Sequence, residues 1–162
     1  MRISRDHLYL LIARVTSFRR TCPRRAVGCA LVDSKGRLLS TGYNGTPSGL
    51  GHCIAKEENR CEGALFSSGE GLDKCCAVHA EQNALLQCKS VDDIATCYVT
   101  TQPCCHCLKL LLNTPCQRIV YEEPYPQPPG ARDLWAEAGR EMVCMAIGEA
   151  SDETLHPLDG WY

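Results

Sequence analysis

The sequence predicts an α/β fold: three layers, with a mixed five-stranded sheet held between helices. Two observations lead there. Apolar residues recur at helical spacing in some segments and as short continuous runs in others, and in the second half the two kinds alternate. Nothing resembling an internal repeat or linker interrupts the chain, so residues 1–162 read as one domain.

Taken in order, Leu8, Leu11, Ile12, Val15 and Phe18 make a helical stripe after Ser4, a good N-terminal cap. Thr21-Cys22-Pro23 ends that helix. Ala26–Val32 and Arg37–Thr41 are strand-like runs joined by Asp33-Ser34-Lys35-Gly36, a hairpin signal. Residues 42–76 form a polar, Gly-, Ser- and Cys-rich insertion with too few core-forming residues to pack by burial alone. A helix follows from His79 through Ala80, Ala84, Leu85 and Cys88, then a strand over Cys97–Thr101. Leu108, Leu111 and Leu112 mark a helix after Cys104, and Arg118–Tyr121 a further strand. After a Pro-rich turn at 124–129, Arg132–Gly139 suggests a helix and Met142–Ile147 the fifth strand. Residues 149–162 show no period.

Composition narrows the function. Lys and Arg number 17 against 19 Asp and Glu, a net charge of −2. Proteins that grip long nucleic acid usually carry a basic surplus, so a small-molecule partner is the better expectation. The N-terminal apolar stretch is interrupted by Asp6, His7 and Arg14 and reads as neither a signal peptide nor a membrane span, which points to the cytoplasm. Thirteen cysteines without such a leader point to metal rather than to disulfides.

The chemistry concentrates in His79-Ala80-Glu81 and Pro103-Cys104-Cys105-His106-Cys107. The pair matches the H-x-E and P-C-x-x-C signature of zinc deaminases, a recognition rather than a derivation. The physical logic is sound. One imidazole and two thiolates supply the three ligands of a catalytic zinc and leave its fourth position to water, whose pKa the metal lowers to about 7. Cys104 and Cys107 lie one helical turn apart at a helix start, where the thiolate is favoured. Glu81, two residues beyond His79, is placed to carry a proton from water to the ring and on to departing ammonia. A closed structural zinc would need a fourth ligand. His106 is available, but in mid-turn it should point away, and Cys105 reads as packing.

Further segments widen the match: Thr21-Cys-Pro-Arg-Arg-Ala-Val-Gly28, Thr41-Gly-Tyr-Asn-Gly-Thr-Pro-Ser-Gly49, Val78-His-Ala-Glu-Gln-Asn-Ala84, Tyr98-Val-Thr-Thr-Gln-Pro-Cys104 and Arg118-Ile-Val-Tyr121. With them the chain resembles the deoxycytidylate (dCMP) deaminases of the cytidine deaminase superfamily. The resemblance implies a cytidine deaminase-like fold and hydrolysis of dCMP to dUMP and ammonia, feeding dTTP synthesis. It implies that Asn44 contacts the substrate, the alternative being a turn asparagine before Gly45. Gly42, Tyr43, Asn44 and Gly45 would also serve an allosteric nucleotide, dCTP with Mg²⁺ as activator and dTTP as inhibitor, in a hexamer. Arg24 and Arg25 are candidate phosphate ligands or a solvated pair, and Tyr125 lines the phosphate pocket or merely packs.

Similar enzymes carry a second, structural zinc. Cys22, Cys53, Cys61 and Cys75 are its candidate ligands here, with His52 or Cys76 as replacements; buried free thiols are the alternative. Such a metal would order the polar insertion. Cys29, Cys88, Cys97, Cys116 and Cys144 read as small core residues. Competing functions are deamination of another cytosine compound, nucleoside or polynucleotide, and a non-catalytic zinc-stabilised binding module.

Overall fold

The computed structural model describes residues 2–53, 62–67, 70–71, 74–125 and 131–148. Helix α1 (Arg5–Ser17) starts where the sequence places it, with Ser4 Oγ accepting from the His7 amide. Strands β1 (Gly28–Asp33) and β2 (Leu38–Tyr43) form the hairpin. Its turn is closed by Asp33 Oδ1, which accepts from the amides of Lys35 at 2.9 Å and Arg37 at 2.7 Å, with Gly36 at φ 78°. Then come α2 (Ala80–Gln87), β3 (Ile94–Thr101), α3 (Cys105–Leu112), β4 (Arg118–Glu123), α4 (Ala131–Glu137) and β5 (Glu141–Cys144).

The strands pair in the order β2-β1-β3-β4-β5. β1 is antiparallel to both β2 and β3, whereas β3, β4 and β5 run parallel, so the sheet is mixed as expected. Parallel neighbours need crossover connections, and α3 and α4 supply them. Side chains alternate across the sheet and divide the core in two. Cys29, Leu31, Cys97, Val99, Ile119 and Tyr121 pack on one side with α2, α3 and Trp135 of α4. Ala30, Val32, Tyr98 and Val120 pack on the other with Tyr9, Leu10 and Ala13 of α1. Helix, sheet and helices make the three layers.

Three readings need correction. The stripe expected to bury α1 is largely exposed, with Leu8 at 41%, Val15 at 64% and Phe18 at 70%, while Tyr9, Leu10, Ala13 and Ser17 face the sheet. The reason is close approach: a Cβ on Gly28 would lie 1.9 Å from the Ala13 carbonyl oxygen, so α1 meets β1 backbone to backbone at Ala13 and Ser17. Asp6 fixes the same rotation by bidentate pairing with Arg118 at 2.8 and 3.0 Å and by accepting from the Tyr98 hydroxyl. The fifth strand stops at Cys144, not Ile147: after the Met145 amide bonds to the Tyr121 carbonyl, the chain turns and buries Ile147 against α1. Cys144 is exposed, although Cys29, Cys88, Cys97 and Cys116 are buried as expected. Elsewhere the differences are of boundary. The hairpin strands run from Gly28 and to Tyr43, β3 starts at Ile94, β4 runs on to Glu123, and α4 ends at Glu137 before Gly139 at φ 67°. The Pro-rich turn lies partly, and residues 149–162 wholly, outside the described residues.

Candidate active site

Two helix starts meet at the edge of the α2–α3 layer. His79 is the N-cap of α2, its amide donating to Gln82 Oε1 at 2.9 Å, so the side chain three residues on fixes the cap. Cys104 caps α3, and Cys107 lies in the first turn. Gly42 makes the approach of α2 to the sheet possible, since a Cβ there would come within 2.2 Å of the Ala80 carbonyl oxygen. At the far end of α3, Arg140 donates to the carbonyls of Leu111, Leu112, Thr114 and Cys116.

His79 Nδ1 stands 3.4 Å from Cys104 Sγ and 3.5 Å from Cys107 Sγ. Tetrahedral zinc with ordinary Zn–N and Zn–S bonds puts nitrogen and sulfur about 3.5 Å apart, so the donor set and its spacing fit zinc. Among the described residues this trio is the one group of three such side chains within metal-binding reach of each other. Cys104 is held near a pKa of about 3, first by the hydrogen bond from the Cys107 thiol and next by His79. That donation and burial push Cys107 up, and His79 is raised by its bond to Cys104. The site therefore sets the Cys104 thiolate against the His79 ring nitrogen. His106 is exposed and outside the trio, and Cys105 is half-buried.

Glu81 is 3% exposed, and burial lifts its carboxyl to about 7 against the opposing pull of His79. It lines a cavity of about 290 Å³ together with His79 and Cys104. A carboxyl poised near neutrality can both accept and return a proton.

The same cavity brings together most of the residues singled out in the sequence. Arg24, Arg25, Asn44, Tyr125, Cys22 and Cys75 all line the cavity. Asn44 uses its whole amide on the chain, Oδ1 accepting from the Val27 amide at 3.0 Å and Nδ2 donating to the Arg25 carbonyl at 2.8 Å. Arg24 Nη2 donates to the carbonyls of Phe66, Ser67 and Glu70, clasping the insertion. The Arg25 guanidinium lies 5.8 Å over the Tyr125 ring, with Nη1 3.8 Å from Glu123 Oε2. Of the remaining segment, Tyr43 and Gly45 line a second hollow of about 350 Å³ with Thr46, His52, Asn83 and Gln87.

Of the four candidate structural cysteines, three fall among the described residues. Among the described residues, Cys22, Cys53 and Cys75 do not by themselves bring three sulfurs within metal-binding reach of one another, and Cys61 lies outside the described residues. The close contact is instead between Cys53 and Cys76, whose sulfurs are 3.6 Å apart. Cys75 lines the cavity, while its neighbour Cys76 meets Cys53.

Sequence reasoning missed Gln82 and Gln102. The first was legible as the third helical residue after a cap. Gln102 lines the cavity, and its Oε1 accepts from the Tyr125 amide at 3.3 Å; only the fold reveals that contact.

A mixed sheet between helix layers, with an imidazole and two thiols at helix starts beside a buried carboxyl, defines a mononuclear zinc hydrolase centre of the deaminase type. The comparisons give the family. Residues 3–123 match the model described as the cytidine and deoxycytidylate deaminase zinc-binding region, and the chain belongs to that family. It is 36% identical to ComE operon protein 2 of Bacillus subtilis over 153 residues, covering 91% of this chain and 75% of that protein. Against the deoxycytidylate deaminase of Mycobacterium phage D29 it is 41% identical over 122 residues, 72% of this chain and 92% of the relative. A match to the Schizosaccharomyces pombe deoxycytidylate deaminase spans only 44% of that longer protein. The crystal structure of dCMP deaminase from cyanophage S-TIM5 in complex with dCMP and dUMP superposes with a TM-score of 0.67 at 27% identity, over 90% of this chain and 99% of that one.

Proposed function

We propose that this protein hydrolyses the 4-amino group of dCMP, yielding dUMP and ammonia. The observation that carries the reading is Glu81, buried beside the His79, Cys104 and Cys107 metal site, with two arginines lining the same cavity. Zinc held by the trio would supply a water activated at neutral pH. Glu81 would take one proton of that water and give it to ring N3, then take the proton of the new C4 hydroxyl and pass it to the departing 4-amino group, which leaves as ammonia. Its raised pKa suits both directions of transfer. Arg25, held over Tyr125, is the phosphate ligand, and Arg24 assists from its anchored position. Asn44 borders the substrate and holds Arg25 and Val27 in place.

The reading extends to a second zinc in the insertion, with Cys53 and Cys76 as its supported pair and Cys22, Cys61 and Cys75 as the pool for the rest. It extends also to activation by dCTP with Mg²⁺ and inhibition by dTTP in a hexamer, for which the hollow beside Tyr43 and Gly45 is the available nucleotide site. The whole chain is then a single deaminase domain with an inserted wall.

The test is ammonia release by zinc-loaded protein from dCMP, deoxycytidine and a cytosine-containing oligonucleotide, each with and without dCTP and Mg²⁺. Turnover of dCMP above the other two is expected, with stimulation by dCTP. Preference for deoxycytidine would remove the phosphate role of the arginines, and silence with all three would leave a zinc-stabilised binding module.

A further inference from the structure

Gln102 takes no part in the proton transfers, yet it sits where the two parallel strands beside the cavity run out. The last registered pair of β3 and β4 is Thr101 with Glu123. Proline follows on both chains, Pro103 on one and Pro124 on the other. Neither carries an amide hydrogen, so main-chain pairing stops there. Gln102 continues it with a side chain. Its own amide donates to the Glu123 carbonyl at 2.8 Å, and its Oε1 accepts from the Tyr125 amide, the first donor beyond Pro124, at 3.3 Å. Nε2 donates to Met142 Sδ of β5 at 3.8 Å, which sets the direction of the amide group. Gln102 is buried, so water is poorly placed to replace the bond to Tyr125 if Oε1 is removed.

The two residues that Gln102 ties down are the two that carry Arg25. The guanidinium lies 5.8 Å over the Tyr125 ring, and its Nη1 is 3.8 Å from Glu123 Oε2. That Nη1 is buried and, among the described residues, has no hydrogen-bond partner, so this arm of the fork is left for a ligand. Arg24 differs, its Nη2 being spent on three carbonyls of the insertion. On its other side Gln102 continues through Pro103 into Cys104, the cap of α3 and a member of the metal trio. One residue therefore joins the mounting of the arginine to the segment that holds the reacting centre.

We propose that Gln102 is a positioning residue for substrate selection: by tying Tyr125 to the end of β3, it holds Arg25 where the substrate phosphate arrives and so sets the preference for a nucleotide over a nucleoside. This rests on the dCMP reading above and assigns the phosphate selectivity of that site to a residue that does not touch phosphate. A grip on a remote phosphate is made alike in the ground and transition states, so its loss falls on KM and not on kcat.

The test compares Gln102→Met, which keeps the length of the side chain and removes the acceptor, with Arg25→Ala and the double variant. Each zinc-loaded protein is assayed for ammonia release from dCMP and from deoxycytidine, with zinc content and melting temperature as checks on the fold. Gln102→Met should raise KM for dCMP by about tenfold, with kcat within about twofold and the dCMP-to-deoxycytidine ratio of kcat/KM reduced to match. In the Arg25→Ala background the same substitution should have little further effect on that ratio, because the glutamine acts through the arginine. Gln102→Asn withdraws the acceptor by one carbon and should show the same selective loss, which keeps the test intact if the methionine variant does not fold. An unchanged KM for dCMP, with preference lost in Arg25→Ala, would overturn the role of Gln102 and leave the phosphate reading standing. Equal losses on both substrates, or additive losses in the double variant, would also overturn it. Undiminished preference for dCMP in Arg25→Ala would remove the phosphate role of Arg25, and this proposal with it.

Discussion

The helix starts and the polar insertion that meet around the cavity are held by different physics. On one side, His79, Glu81, Cys104 and Cys107 sit at helix starts laid on a sheet whose core residues are almost fully buried. Their positions follow from packing, down to the 2.2 Å that a Cβ on Gly42 would leave to the Ala80 carbonyl oxygen. On the other side, the insertion is tied by polar contacts: Arg24 to three carbonyls, the Thr46 amide to Thr21 Oγ1, and Cys53 beside Cys76. A wall set by burial holds reactive groups in register. A wall set by a few polar contacts and thiols needs another source of order, and metal binding can supply it.

The largest effect that would sharpen this contrast is on the packed wall. Glu81→Gln should lower kcat by about 10²–10⁴-fold while leaving KM and zinc content near those of the parent, measured by ammonia release and metal analysis. Activity close to the parent's would remove Glu81 as the proton carrier. Next comes the polar wall. With the proposed second zinc bound, Cys53→Ser should lose one of two zinc equivalents per chain and lower the melting temperature, whereas Cys104→Ser should lose the catalytic one and abolish activity. Equal metal content in Cys53→Ser and the parent would show that the insertion is ordered without zinc.

The smallest effect concerns the far side of the sheet. The Arg118 guanidinium, hydrogen-bonded to Asp6, holds that carboxyl below its usual 3.8, with help from Tyr98 and against burial. A depressed folded-state pKa means that the unfolded chain binds the proton more readily, so the pair stabilises above about pH 4 and loses its effect as pH falls through the folded value. Asp6→Asn should therefore cost about 1–3 kcal/mol at pH 7, read from urea unfolding, and the gap to the parent should close under acid. A gap independent of pH would show that shape, not charge, sets the rotation of α1.

Much of this molecule was legible in its residues. Ser4, the Asp33–Gly36 turn, and the caps at His79 and Cys104 are local signals, and each element appeared within a few residues of its expected place. The zinc trio was equally readable, since Cys-x-x-Cys at a helix start leaves the sulfurs little choice of direction. Longer-range choices were not readable. Helix α1 is apolar on both sides, so its period could not say which face meets β1; the clearance between Gly28 and Ala13, with Asp6 on Arg118, made that choice. Cys75 and Cys76 are adjacent in sequence, and only the path of the chain sends one to the cavity and the other to Cys53. Asn44 reads as a substrate contact or a turn former, yet its amide joins two backbone groups distant in sequence. The sequence by itself determined the elements, because these depend on spacing within one turn or strand, and its two-part signature singled out the ligand trio that the fold brings together. Tertiary structure alone decided which face of a helix is buried and which thiols and amides meet, because those depend on distances between segments that no local spacing encodes.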